Sequence, residues 1–368
     1  MKTKELYRKF NITLVVSLLC VLFITAMINL LVNPYNIFGV PACKLTYLKP
    51  ESKTQERVTK LIGLKFDKRK LDSIFLGSTR VDTAIAKDYF YKLTGKEAEN
   101  MAINGMPVEE FQDWLQTIVT IHPEVRNVYL GVDFDMFNEI ENTYLPIKTK
   151  PTLTSKEISM ALFSFAGLRD SLSTVTKNIT NQTDNTYMPN GTKYRASNPK
   201  IKNTFSLTLE ESSFTYKHFK YNPEKLNYVK FMKEFCDDRG TNFYVFVMPT
   251  HISDLQLMQD ENVYFDYLAW KSDLSQISSI FDFQFPSPYS NEKISPNMKY
   301  FFDSTNATYI TGNLILDYIL NDNPVFGRVY TPDYADVFNN ADITEMDILA
   351  GDNSARTKFI EAAEDKEN

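Results

Sequence analysis

The chain has 368 residues, room for one large domain or two ordinary ones. Hydrophobic residues make up 43% and charged residues 23%, the balance of a globular protein and not of a disordered one. A net charge of −6 without a basic domain argues against nucleic acid as a partner. Cys20, Cys43 and Cys236 lack metal-ligand spacing, and with only 3 histidines neither a metal nor another cofactor is expected. A Cys43–Cys236 disulfide stays open on the count alone.

Residues 1–10 carry 4 basic groups and 1 acidic group, and residues 12–32 then run without a charge. That apolar run is long enough to cross a bilayer core of ~30 Å. The basic flank is expected to stay in the cytoplasm. A cleaved signal peptide is the rival reading. The run is longer than the usual apolar core of about 7–15 residues, and no small-x-small site closes it before Asn33-Pro34-Tyr35. An uncleaved anchor would leave everything after residue 33 outside the cytoplasm, on the cell membrane with a periplasmic or cell-surface domain. The organisation expected is an anchor over 1–33, an α/β domain over 34–330 and an acidic tail over 331–368.

Residues 34–70 are polar and Lys-rich with no strong period. The apolar run Ile74–Leu76 ends at Gly77-Ser78, and Val81, Ile85 and Tyr89 follow at helical spacing. A continuous apolar run suits a strand buried on both faces. Ser78 then has two readings: the cap of the next helix, or a nucleophile at a strand's carboxyl end, where open α/β sheets place their ligands. A short strand over Glu99–Gly105 follows, then a helix over Pro107–Ile121 and a strand over Asn127–Val132. Strand, helix, strand with short links predicts a mostly parallel sheet. Residues 138–217, rich in Thr, Ser, Asn and Lys, break the rhythm and read as an insertion over the sheet's active edge. Asn178, Asn181 and Asn190 there formally match glycosylation triplets.

The rhythm resumes with a helix over Pro223–Asp237, a strand over Asn242–Met248 and Pro249-Thr250-His251. Helices near 252–260 and 263–278, a strand at Ile280–Phe285 and a helix over Tyr309–Leu320 complete the pattern. Five loops carry polar residues at the predicted active edge: Gly77-Ser78, Asn104-Gly105, Gly131-Val-Asp133, Pro249-Thr-His251 and Asp303-Ser-Thr-Asn306. His122 and His218 are expected at the surface. His251 has three readings: a loop-anchoring residue, a substrate-binding residue and a base for Ser78.

The order of these loops resembles the SGNH-hydrolase (GDSL-like) superfamily, and more closely its membrane-anchored bacterial branch that serves in O-acylation of exopolysaccharides and cell-wall polymers. Asn33-Pro34 behind the anchor, Gly77-Ser78-Thr79-Arg80 and Asn100-Met-Ala-Ile-Asn-Gly105 carry the likeness. The resemblance implies a three-layer, doubly wound, flavodoxin-like α/β fold. It implies acyl transfer through Ser78, with the N–H groups of Ser78 and Gly105 as oxyanion donors and Asn104 and Arg80 beside them. It also implies a membrane-bound O-acyltransferase and a polysaccharide or cell-wall polymer as partners. Two residues depart from it. Asp133 stands where the superfamily often has an Asn donor, and a carboxylate does not donate. Asn306 stands where the Asp-x-x-His block, here Asp303 to Asn306, carries the general base, and an amide does not take a serine proton near neutral pH. The readings open are therefore a degenerate acyl site, an active esterase or O-acetyltransferase pairing Ser78 with His251, and a non-catalytic scaffold.

Overall fold

The computed structural model describes residues 2–50, 56–139, 154–182, 186–187, 193–194, 201–321 and 326–332. The chain divides into two compact units, residues 1–68 with 151–196, and residues 69–150 with 197–368.

The second unit is α/β. Its strands, β1 to β6 in chain order, are Leu71–Leu76, Glu97–Asn100, Asn127–Val132, Asn242–Val247, Ile280–Asp282 and Arg328–Tyr330. They lie in the order β2-β1-β3-β4-β5-β6. The first five run parallel, and β6 joins β5 antiparallel. The sheet is thus mostly parallel, as the alternation predicts. The chain steps from β1 outward to β2, then returns across β1 to β3. In an open sheet that reversal opens a crevice at the carboxyl ends of β1 and β3.

Side chains fix the register. Phe75, Tyr129 and Tyr244 are direct neighbours across β1, β3 and β4. Their rings stack at 4.8 Å in each pair, and aromatic pairs of this kind add about 0.5–1.5 kcal/mol beyond burial. At the other end of the same strands Asn242 Nδ2 donates to Asn127 Oδ1 at 2.9 Å, and Asn127 Nδ2 donates to Asp72 Oδ2 at 2.8 Å. A one-residue slip would break both ladders and turn every side chain to the wrong face.

Several local expectations change. The helix after Ser78 breaks into Thr79–Ala84 and Lys87–Thr94, because Ile85 and Ala86 are extended. Residues 101–105 are loop, not strand, and β5 ends at Asp282. His122 is buried at 5% exposure and pairs with Glu124 at 3.0 Å, whereas a surface position was expected. His218 is exposed. All three cysteines are free, so the Cys43–Cys236 bond does not form. Residues 333–368 of the acidic tail lie outside the described residues.

The first unit holds the helix Lys2–Val32, whose segment 4–32 is long and apolar enough to cross a membrane. It also holds helix Glu56–Phe66, from a stretch that showed no period, and helices Ser155–Phe163 and Phe165–Thr180 from the polar break in the pattern. Ser155–Phe163 begins with a capping box between Thr154 and Glu157. Asn29, fully buried, donates to Leu162 O at 2.8 Å and accepts from Ser171 Oγ at 2.9 Å. Lys49 Nζ reaches the carbonyl of Val32 at 3.0 Å. Asn178 is buried and bonded to both backbone groups of Leu48, and Asn181 is the left-handed residue that ends its helix. Asn190 lies outside the described residues.

Candidate functional site

Ser78 sits where β1 ends and helix Thr79–Ala84 begins. Gly77 has φ +156°, a conformation that favours glycine, and a Cβ there would lie 2.3 Å from Val81 Cγ2. A Cβ on Gly131 of β3 would meet the same methyl at 2.3 Å. Gly77, just past β1, and Gly131, within β3, therefore let Val81 drop onto the sheet, which seats the first turn of the helix at the β1–β3 crevice. Gly312, in helix Tyr309–Asn321, packs against the end of the same helix, since a Cβ there would lie 1.8 Å from the carbonyl oxygen of Ala84.

The serine is the helix cap: its Oγ accepts from the backbone N–H of Arg80 at 3.1 Å. The same hydroxyl donates a hydrogen bond to Asp133 Oδ2, at the end of β3. The two readings of Ser78 are thus compatible in geometry. Thr79 Oγ1 donates to Asn104 Oδ1 at 2.7 Å, which ties the start of the helix to the turn at Gly105, φ +63°. Asn100 braces that turn from below, donating to Val81 O and Ile85 O and accepting from the N–H of Ala102.

Arg80 lies under Ser78, buried at 8% exposure. Its Nη1 faces Asp133 Oδ1 at 3.5 Å, and its Nη2 faces the more exposed Asp135 at 3.5 Å. Burial alone would lower its basicity, but Asp133, Asp135 and Asp254 hold it firmly cationic. Burial pushes the Asp133 carboxyl above its ordinary range, and Arg80 pulls it back only in part. Asp254 is driven up to about 6, by burial first and with Arg80 opposing. Tyr216 donates to Asp254 Oδ2 at 3.1 Å. Asp254, Asp135 and Tyr216 are site residues that the sequence reading missed. Asp254 follows His251 by one helical turn, and nothing in its spacing marks it as a neighbour of Arg80.

The remaining residues form a second cluster. His251 caps helix Ile252–Asp260: its Nδ1 accepts from the N–H of Ser253 at 3.2 Å, and its Nε2 reaches Glu292 O at 2.8 Å. Both ring nitrogens are engaged locally. Burial lowers its pKa to about 4. Its backbone N–H donates to Ser304 O at 2.9 Å, which ties this loop to Asp303–Asn306. Asn306 Nδ2 donates to both oxygens of Asp303 at 3.0 Å, and its Oδ1 is buried with no hydrogen-bond partner among the described residues. No hydrogen bond joins Ser78 to His251 or Asn306. Among the described residues, no group of His, Cys, Asp and Glu could hold a metal ion.

The structure therefore brings together Ser78, Arg80, Asn104 and Asp133, and separately His251, Asp303 and Asn306. The first group offers a hydroxyl whose proton already leans on a buried carboxylate, at the positive end of a short helix. The second offers a carboxylate that orients an amide. Comparison with protein-family models returns no match, and comparison with curated proteins returns none either.

Proposed function

We propose that this chain is a membrane-tethered SGNH-like protein of an extracytoplasmic polymer O-acylation system, with Ser78 as the acyl-accepting centre of a degenerate site. The observation that carries this reading is the position of Ser78, at the end of β1 beside the β1–β3 reversal, with its hydroxyl on Asp133. The three-layer SGNH fold, the extracytoplasmic placement of the second unit and a membrane-bound O-acyltransferase as partner belong to the same proposal. The helix long enough to cross a membrane and the parallel sheet support it.

In this reading the Ser78 proton passes to Asp133 Oδ2 as Oγ attacks an acyl carbonyl. The ester C–O bond then breaks, and the leaving oxygen takes that proton. The N–H groups of Ser78 and Gly105 face the oxyanion. Asp133 is a weak substitute for imidazole, because a carboxylate far below the alcohol in basicity gives little driving force. Asp303 holds an amide at Asn306 in the way such a carboxylate would orient a histidine, so the site keeps its scaffold and lacks its base. In this reading the acyl group is acetyl, the simplest one.

Hydrolysis of p-nitrophenyl acetate by the full chain tests the reading, beside Ser78→Ala and Asn306→His. Slow turnover that Ser78→Ala removes and Asn306→His raises supports it. Turnover indifferent to Ser78→Ala, or silence from all three folded proteins, counts against it and favours a scaffold.

A further inference from the structure

Within the first unit, the helix Lys2–Val32 changes surroundings along its length. The large apolar side chains between Leu6 and Phe23 are exposed, whereas Asn29 is fully buried. Lys9 is the last charge before Lys44. A bilayer core of ~30 Å takes about 20 residues at 1.5 Å each. Counted from Phe10, the core ends at Asn29.

Asn29 is also where helices Ser155–Phe163 and Phe165–Thr180 meet the long helix. It bonds Leu162 O at 2.8 Å, and a Cβ on Gly167 would lie 2.8 Å from its Nδ2. Leu162 and Gly167 bracket the corner between the two helices. On that corner Phe163 is 48% exposed and Phe165 82%, the latter the most exposed large apolar side chain among the described residues. Arg169, one turn on from Phe165, is exposed too. Two phenylalanines and a cation held at the depth where the membrane helix leaves hydrocarbon match the composition of an interfacial anchor.

We infer that the Phe163–Phe165 corner inserts into the headgroup region of the lipid leaflet from which the helix Lys2–Val32 emerges. The occupant is lipid. The inference rests on the reading of that helix as membrane-spanning. An inserted corner would fix the tilt and depth of the whole first unit, which a single helix alone leaves free to rotate.

The test uses the full chain in bilayers of phosphatidylcholine brominated either near the headgroup or near the chain end. Phe165→Trp and Val21→Trp are each compared with the parent, whose Trp114 and Trp270 are fully buried. The emission added by Phe165→Trp is expected to be quenched more by the shallow bromine than by the deep one. That added by Val21→Trp, halfway along the apolar run, should be quenched more by the deep one. If Val21→Trp is quenched and Phe165→Trp is not, the corner stands in water and the inference is overturned. If neither is quenched, the membrane-spanning reading fails first and takes the inference with it.

Discussion

Ser78 and Asp133 stand 55 residues apart in sequence and share a hydrogen bond at the ends of adjacent parallel strands, the serine donating and the carboxylate accepting. The carboxylate is buried at 2% exposure, and its second oxygen accepts no hydrogen bond. Arg80, of comparable burial, faces it as the counter-charge. The arrangement keeps the serine proton on an acceptor before any ligand arrives.

The reactivity of Ser78 should follow the protonation of Asp133. Burial raises the Asp133 carboxyl above its ordinary value near 4. Labelling of Ser78 by a fluorophosphonate should therefore rise with pH as Asp133 loses its proton, with a midpoint above that ordinary value. Asp133→Asn keeps the shape but removes the charge. It should flatten the profile and slow labelling by about tenfold or more.

Arg80→Met should destabilise the protein more than a surface substitution does. It removes the buried cation and leaves Asp133 and Asp254 uncompensated, a change that costs about 3–5 kcal/mol in buried pairs. Urea denaturation near neutral pH, followed through the buried Trp114 and Trp270, reads the loss. Lowering the pH should restore part of it, since protonation relieves both carboxyls.

Gly131→Ala should cost about 1–3 kcal/mol by overpacking against Val81 and the Phe246 ring. Adding Val81→Ala removes the nearer obstacle, so the double variant should lose less than the sum of the two single changes. For Gly312→Ala no such relief exists, because the obstacle is the backbone carbonyl of Ala84. A thermal-shift series across these variants measures the coupling.

Two buried groups pull the pH dependence of stability in opposite directions. Burial lowers the His251 pKa to about 4, so its contribution is full above the unfolded value near 6.5 and is lost as pH falls through 4. Asp254 is raised to about 6, so its contribution is full below the unfolded value near 4 and is lost as pH rises through 6. Each spans about 3 kcal/mol. The stability difference between parent and His251→Gln should therefore grow from pH 4 to 6.5, and that between parent and Asp254→Asn should shrink from pH 4 to 6.

Much of the second unit's fold is legible in the sequence, because buried parallel strands are short apolar runs with sharp ends, as at Leu76-Gly77 and Val132-Asp133. β6 is not, since Arg328–Tyr330 is too short to show a period and is placed only by β5. Helices Ser155–Phe163 and Phe165–Thr180 hide behind polar composition: they bury Ala161, Gly167, Ser171 and Thr174, small or hydroxylated residues that make a close contact without an apolar stripe. Of the site, the loops after β1, β2 and β3 were readable from position. The role of Asp133 was not. Donor chemistry alone made it an unwelcome neighbour for an oxyanion, whereas the structure uses it as an acceptor for the serine. Asp254, on helix Ile252–Asp260, and Tyr216, on helix Ile201–Lys217, act on Arg80 from separate helices, and no local pattern announces such a meeting.

If Ser78 is an acyl-accepting centre lacking only its base, a histidine at position 306 should quicken it. The most direct measurement is the rate at which a fluorophosphonate labels Ser78 in the parent and in Asn306→His, with Ser78→Ala as blank and thermal unfolding as the check on folding. Expected are slow labelling of the parent, none of Ser78→Ala, and an increase of roughly 10²-fold or more for Asn306→His. A folded Asn306→His protein that labels no faster than the parent would contradict it.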